Sequence, residues 1–351
     1  MKTQVTELFK VRHPIVLSGM GWISTPEMVA AVSNAGGLGI LGTSMMNAVD
    51  TRIAIQKTKE LTDKPFGMNV TLLFPGASEN VKVALEETVP VINFSLGKGD
   101  WIVKEAQKYG GKVIATVVNE RHAKRAQEYG SDAVVVTGHE AAAHGGDATS
   151  LVLIPNIVDA VNIPVIAAGG FADGRGLVAA LALGAEGIAM GTRFMTTQES
   201  PVRENVKRLS IEKGVNDTIY GPYFDGLGCR SMKTKASEKA YRRGFFGLPN
   251  FPAALINSRD MARMFNFPYM KFLIGVLLSG RKNAIQMAYM ANAFPAMRTA
   301  IEDGEIEKRG VVPAGQCTGL IRNVPKVSEL IEDIIREADG ILKRLNTIGA
   351  G

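Results

Sequence analysis

The sequence predicts an α/β protein, a (β/α)8 TIM barrel with a C-terminal helical cap inserted after strand 8. From His13 onward, short β-branched apolar runs alternate with amphipathic segments of helical length, as in the βαβ units of a parallel sheet. Several helical segments end in a glycine, as at Gly36, Gly130 and Gly184, and glycine ends a helix in the left-handed conformation without a Cβ penalty. Eight such units favour closure into a barrel over an open sheet.

The apolar runs are the predicted strands. They cover residues 15–18, 38–41, 66–70, 91–94, 113–117, 133–136, 165–168 and 187–190. A helix over about residues 202–213 is expected to complete the ring of helices around them. The barrel therefore takes residues 1–213.

The pattern changes after Gly214. Gly/Pro-rich turns over residues 220–228 lead into a basic stretch and then into Met-rich helical segments over about residues 258–302. Residues 327–345 have the apolar spacing of a terminal amphipathic helix. We therefore expect a helical cap or substrate subdomain over residues 214–310, and a return segment with a terminal helix that packs on the barrel over residues 311–351.

The composition suits one barrel with an addition. The chain has 351 residues, 46% of them hydrophobic and 21% charged, which is enough to bury a sizeable core. The net charge of +6 is a mild basic surplus that suits an anionic small molecule better than a nucleic acid. The two cysteines, Cys229 and Cys317, form no Cys-x-x-Cys or Cys/His cluster, so we expect no metal site and a reducing compartment.

Two apolar segments bear on the location of the protein. The run at residues 14–17 is too short for the core of a signal peptide, and the run at residues 272–278 is well short of a membrane span. We expect a cytoplasmic protein with no membrane partner, and we expect residues 272–278 to form a buried helix.

Two glycine-containing loops predict a phosphate site. In barrels the active site lies at the C-terminal strand ends, and a phosphate often sits on the loops after strands 7 and 8. Gly169 and Gly170 follow strand 7, and Gly191 and Thr192 follow strand 8, so main-chain N–H groups could approach phosphate oxygens there. Either loop alone could be only a tight turn, but the pair favours phosphate binding. Because a Walker-type loop and a Rossmann glycine motif are both absent, the phosphate would belong to FMN or to a phosphorylated substrate.

A set of ordered motifs points to a family. The motifs lie at residues 18–22 (Ser-Gly-Met-Gly-Trp), 33–39, 61–69, 140–145 (Glu-Ala-Ala-Ala-His-Gly), 167–174, 191–194 (Gly-Thr-Arg-Phe) and 314–316 (Ala-Gly-Gln). They resemble the 2-nitropropane dioxygenase-like, or nitronate monooxygenase, family of FMN flavoproteins, which also contains flavin-dependent enoyl-acyl-carrier-protein reductases and NADH:quinone reductases. The resemblance spans about residues 8–199, returns near residue 314 and is weak across the cap.

The resemblance implies where FMN would lie. Its phosphate would rest on Gly169 and Gly170 and on Gly191 and Thr192, with Gly19, Met20 and Asn69 beside the isoalloxazine ring and Gln316 closing over the cofactor. NADH or NADPH would be the reductant in the reductase branches. Without the resemblance, two other interpretations are equally good: Asn69 as a turn residue at the end of a strand, and Met20 as a core residue.

His144 is the candidate for acid–base chemistry. It follows strand 6 in a glycine-flanked loop, and imidazole titrates near neutral pH. A structural role, with the imidazole bonded to a loop carbonyl, is the alternative. Ser18 and the pair Ala142 and Ala143 stand where the family usually has glycine, which would narrow the pocket beside the flavin and before His144.

These observations predict an FMN-dependent oxidoreductase that oxidises alkyl nitronates with O2, as a nitronate monooxygenase does. The alternatives are an NAD(P)H-dependent reductase of an enoyl thioester or a quinone, and a non-redox barrel enzyme that binds a phosphate. The expected partner is a small apolar or anionic substrate, with a homodimer as the assembly considered. The basic stretch from Lys233 to Arg243 is either a solvated face or a contact for NADPH phosphate, coenzyme A or an acidic carrier protein.

Overall fold

The computed structural model describes residues 1–142, 144–242 and 248–349. Ala143 of the motif before His144, and Arg243 at the end of the basic stretch, lie outside the described residues. Within the described ranges, no helix has the length and apolar character needed to cross a membrane.

A closed parallel barrel forms the centre of the described chain. Its strands are β1 (Ile15–Leu17), β2 (Gly39–Gly42), β3 (Phe66–Thr71), β4 (Val91–Ser95), β5 (Lys112–Val117), β6 (Ala133–Thr137), β7 (Val165–Ala168) and β8 (Gly187–Met190). Each strand pairs in parallel with the next, and β1 pairs with β8 through Leu17 opposite Met190. The parallel bridge between Val16 and Leu38 joins β1 to β2 and closes the ring. The predicted TIM barrel is confirmed, with the predicted strands displaced by at most one residue.

Two apolar layers pack the barrel. Inside the ring, Val16, Ile40, Ile114 and Ile166 are among the buried side chains, and the short helix α1 (Gln4–Phe9) covers the N-terminal end by inserting Phe9 into that cluster. Outside the ring, the opposite faces of the strands pack on the surrounding helices. Burial on both faces explains why the strands appear in the sequence as continuous apolar runs.

Seven helices of the described chain lie between the strands, and four of them begin at a capping side chain. They are α2 (Pro26–Asn34), α3 (Ala48–Leu61), α4 (Ala77–Glu86), α5 (Asp100–Gln107), α6 (Glu120–Glu128), α7 (Ser150–Ala160) and α8 (Gly174–Ala182). Thr25 caps α2, Asn47 caps α3 and Asp173 caps α8, in each case by accepting a hydrogen bond from a main-chain N–H of the first turn. These bonds satisfy donors that a helix cannot pair internally, so each capped helix begins at a defined residue.

The last position in the ring of helices is taken by the C-terminal helix. Helix α15 (Val327–Gly349) packs along α8 and also meets α2, and Gly174 permits this approach because a Cβ there would lie 2.6 Å from the main chain of Ile334 and Ala338. The expectation that a helix over residues 202–213 completes the ring is therefore wrong. Helix α10 (Glu204–Glu212) instead buries Val206 in a cluster with residues of the cap.

The cap follows β8 and covers one end of the barrel. It comprises the short α9 (Thr192–Met195), α10, an antiparallel pair of strands β9 (Thr218–Gly221) and β10 (Cys229–Met232), α11 (Lys235–Ala240), α12 (Phe251–Met264), α13 (Tyr269–Leu278), α14 (Arg281–Arg298) and a π-helical turn (Thr299–Asp303). A 3-10 turn (Gln316–Leu320) lies in the return segment that follows. The predicted helical cap after strand 8 is confirmed.

One prediction about the cap is wrong. Residues 272–278 lie in α13, which is helical as expected but buries none of its residues. Met270, Ile274, Leu277 and Leu278 are 62%, 50%, 65% and 81% exposed and share one face of the helix. Apolar composition predicted burial, whereas the cap presents this face outward.

Candidate active site

A cavity of about 750 Å³ lies at the C-terminal ends of the strands. Loops after most of the barrel strands line it from below, and the cap lines it from above through Asp225, Gln286, Phe294, Met297 and Ile301. It lies at the position where barrel enzymes carry their active site, and its size is that of a site for a cofactor or a drug-sized ligand.

The loops after β7 and β8 leave main-chain donors unused. Gly169 and Gly170 have φ angles of +102° and +87°, which L side chains rarely adopt. The N–H groups of Gly169, Gly170, Gly191 and Thr192 donate to no atom of the described residues. The loop itself is held from behind, because Ser150 Oγ donates to the Gly169 carbonyl oxygen at 2.8 Å. Consecutive free N–H groups are the arrangement that binds a phosphate group.

Gly19, Met20 and Asn69 meet at the wall of the cavity, after β1 and within β3. A Cβ on Gly19 would lie 2.3 Å from Asn69 Cβ, so only glycine fits beside that side chain. Asn69 is buried and donates from Nδ2 to Asn93 Oδ1 at 2.7 Å. This bond orients the carboxamide, and Asn69 Oδ1 keeps its acceptor capacity because none of the described side chains or main-chain groups bonds to it. The three residues fit a flat polar ring lying against the loop after β1.

His144 lies at the cavity wall and is paired with a carboxylate from the cap. Its Nε2 is 2.7 Å from Asp225 Oδ2, and both side chains are largely buried. Because a carboxylate only accepts hydrogen bonds, Nε2 must carry the proton of a neutral imidazole, which leaves Nδ1 as an acceptor. Asp225 is itself oriented by the main-chain N–H of Leu227, which donates to Oδ1 at 3.0 Å. The pair can therefore take up a proton at Nδ1 with the resulting cation stabilised by Asp225.

The structure places Gln316 behind the cavity wall. The residues on either side of it, Gly315 and Cys317, line the cavity, and the Gln316 main-chain N–H donates to the Glu140 carbonyl oxygen at 2.8 Å. Gly315 is tied to the phosphate loop by its N–H, which donates to Thr192 Oγ1 at 2.9 Å. Burial raises the pKa of the Cys317 thiol to about 11, so this residue adds no charge to the cavity.

Sequence reasoning missed several polar residues of the cavity, among them Asp225, His122 and Gln286. Asp225 lies 81 residues beyond His144 in a Gly-rich turn, where a lone acidic residue gives no periodic signal. His122, at the start of α6, also lines the cavity, and burial lowers its pKa, which favours the neutral imidazole. Gln286 comes from the middle of α14. For Gln286 the sequence offered one signal, a polar residue inside a Met-rich helical segment. Asp225 and His122 are brought to the site only by the folded arrangement.

The sequence profile of the family described as nitronate monooxygenase matches residues 2–83 and 73–337 of this chain. A relative from Rhodococcus jostii (strain RHA1), named (3aS,4S,5R,7aS)-5-hydroxy-7a-methyl-1-oxo-octahydro-1H-indene-4-carboxyl-CoA dehydrogenase, is 36% identical over 100% of this chain and 98% of its own length. A probable nitronate monooxygenase of Staphylococcus saprophyticus is 32% identical over 68% of this chain and 81% of its own length. Among solved structures, FabK from Thermotoga maritima superposes with a TM-score of 0.81 at 36% identity, covering 99% of both chains.

Proposed function

This chain belongs to the nitronate monooxygenase family of oxidoreductases, and from that premise we propose that it is an FMN-dependent enzyme that acts on an acyl thioester. The observation that carries the proposal is the extent of the similarity. The relative named as a carboxyl-CoA dehydrogenase is similar along the whole chain, cap included, whereas the relative named as a probable nitronate monooxygenase covers 68% of it. Because the cap forms the upper wall of the cavity, a relative that matches the cap is informative about the substrate.

The phosphate loops support FMN as the cofactor. Two consecutive glycines of positive φ and four unused N–H groups fit a phosphate, and Gly19 and Asn69 offer a close-packed wall with a free amide oxygen. When bound there, a flavin supplies hydride or electron transfer. These residues fit FMN, and none of the described residues that line the cavity is a lysine such as a Schiff-base aldolase uses.

His144 handles the proton in this proposal. Oxidation of a substrate C–H or O–H removes a hydride equivalent and a proton, and reduction returns both. Nδ1 of His144 takes or returns the proton, while Asp225 holds Nε2–H and stabilises the imidazolium form at 2.7 Å. The cap residues Phe294, Met297 and Ile301 exclude water above the reacting atoms.

Nitronate oxidation, which the motifs predict, is the second candidate. The matching family carries that name, and the staphylococcal relative is 32% identical over 68% of this chain. In that reaction His144 would stabilise the anionic substrate instead of moving a proton.

A visible spectrum and anaerobic mixing test the proposal. We expect a yellow protein with about one noncovalent FMN per chain, identified after denaturation. The flavin is then mixed without oxygen with NADH, NADPH, a hydroxyacyl-CoA and an alkyl nitronate in turn, and reduced protein is mixed with an enoyl-CoA. Bleaching by the hydroxyacyl-CoA, or reoxidation by the enoyl-CoA, supports the thioester proposal. Bleaching by the nitronate alone favours the second candidate, and a colourless protein that takes up no FMN contradicts both.

A further inference from the structure

A second cavity of about 490 Å³ adjoins the first. It lies between the loop after β3 and the cap helices α13 and α14, and Leu73 and Gln286 line both cavities. These two side chains therefore stand at the boundary between them. A ligand long enough to occupy both cavities would contact Gln286.

Gln286 has a polar atom without a partner. Its Nε2 is buried and forms no hydrogen bond with any of the described residues. An unpaired buried amide is destabilising, so such groups are rare unless a ligand or water satisfies them. Gly226 packs against this side chain, since a Cβ on Gly226 would lie 3.1 Å from Gln286 Cγ. Gly226 directly follows Asp225 in the chain, and Gln286, Asp225 and His144 all line the first cavity.

The rest of the second cavity is apolar within and cationic outside. Its lining includes Pro75, Phe267, Phe272, Val276 and Met287. Lys271 lines it as well, and Arg281 and Lys282 begin α14 just before the lining residue Asn283. All three cations are exposed, and none forms an ion pair within the described part of the chain. The second cavity thus combines an amide donor shared with the first cavity, an apolar wall and a lysine in its lining, and two further exposed cations precede Asn283 in the chain.

We propose that the second cavity binds the phosphopantetheine arm of the substrate, and that Nε2 of Gln286 donates a hydrogen bond to a carbonyl oxygen of this arm. The inference rests on the proposed function and names the residues that would bind the substrate of that function. Such an arm carries amide carbonyls, methyl and methylene groups and a terminal phosphate, and the residues in and beside the second cavity offer a partner for each: Nε2 of Gln286, the apolar wall and the exposed cations. Coenzyme A and a carrier protein carry the same arm, so both sources share this chemistry.

Calorimetric titration of the flavin-loaded protein with pantetheine, phosphopantetheine and coenzyme A tests the inference. Gln286→Leu removes the donor and keeps the size of the side chain, and we expect it to weaken binding of all three ligands by about threefold to tenfold, the value of one neutral hydrogen bond. Lys271→Met should weaken phosphopantetheine and coenzyme A while leaving pantetheine, which lacks the phosphate, unchanged. Gln56→Leu makes the same change as the first variant on the outer face of α3, and its affinities should match wild type.

Thermal unfolding separates this role from a structural one. If Gln286 only supported the cap, Gln286→Leu would lower the melting temperature, whereas loss of an unpaired buried amide should keep or raise it. Wild-type affinity for all three ligands in Gln286→Leu overturns the inference, as does a Lys271→Met variant that loses pantetheine as strongly as phosphopantetheine. If the wild-type protein binds no coenzyme A and is reduced only by a nitronate, the proposed function itself has failed. Comparison of kcat/KM for the same acyl group on coenzyme A and on a carrier protein then identifies the source of the arm.

Discussion

The barrel and the cap differ in how their residues serve the cavity. The barrel presents mainly main-chain groups, through the free N–H groups at Gly169, Gly170 and Gly191. The cap presents side chains, through Asp225 at 2.7 Å from His144 and through the unpaired amide of Gln286. Main-chain donors on a rigid ring suit a cofactor that stays in place, whereas side chains on an added layer suit a substrate that varies. Variants of the barrel should therefore lose flavin, and variants of the cap should retain flavin and change turnover or substrate affinity.

His144 joins the two regions, and its replacement should have the largest effect on turnover. It lies on a barrel loop, and its Nε2 is held by the cap. Because acid–base groups contribute about 10²–10⁴-fold, His144→Ala should slow turnover by that order while FMN stays bound. Steady-state rates and flavin content are measured on the same preparations. A variant with full flavin content and turnover within about threefold of wild type would make His144 structural.

Loss of flavin is the next largest effect and tests the barrel side of the comparison. Gly170→Val should lower FMN affinity by at least about tenfold, because a side chain at a φ of +87° strains the loop and obstructs the N–H groups. The ratio of flavin to protein absorbance measures retention. Gly110→Val is the matched control, since Gly110 also has a positive φ of +79° but no atom within 4 Å of a Cβ there. Equal retention in the two variants would contradict the phosphate assignment.

Asp225→Asn tests the cap side. The amide can still accept the hydrogen bond from Leu227 N–H, but it no longer stabilises a charged His144. We expect kcat to fall by at least about tenfold, the value of one charge-assisted hydrogen bond, with flavin content and melting temperature unchanged. The control is Asp217→Asn, whose carboxylate accepts from Gly214 N–H away from His144. Equal kcat values for both variants would contradict a role of Asp225 in catalysis.

Alkylation of the two cysteines is the smallest expected effect, and its order in time reports on the stability of the cap and of the return segment that packs on the barrel. Burial raises the pKa of Cys317 to about 11 and also raises the pKa of Cys229, so both are thiols at pH 8 and the native protein should not react with iodoacetamide. In urea below the main transition, Cys229 of the cap should be alkylated before Cys317 of the return segment if the cap opens first. Mass spectrometry of timed samples measures both sites. Simultaneous alkylation would mean that barrel and cap unfold as one unit.

The sequence by itself determined the barrel and the glycine loops. Each strand is a run of apolar residues bounded by turn residues, and burial on both faces makes that pattern local and easy to detect. Gly169 and Gly170 could be placed after β7 because a βα unit has a fixed order along the chain. The position of the catalytic candidate His144 at the end of β6 followed from the same order, and the structure puts it at the cavity wall.

Only the tertiary structure decided how distant segments meet. The ring of helices is completed by α15. This helix begins at Val327, 137 residues after β8 ends at Met190, and no local pattern distinguishes it from the nearer α10. The exposed face of α13 and the pairing of Asp225 with His144 depend likewise on packing between segments far apart in the chain. Periodicity reports which residues of one element share a face, whereas the partner of that face is set by the free energy of the whole packed arrangement.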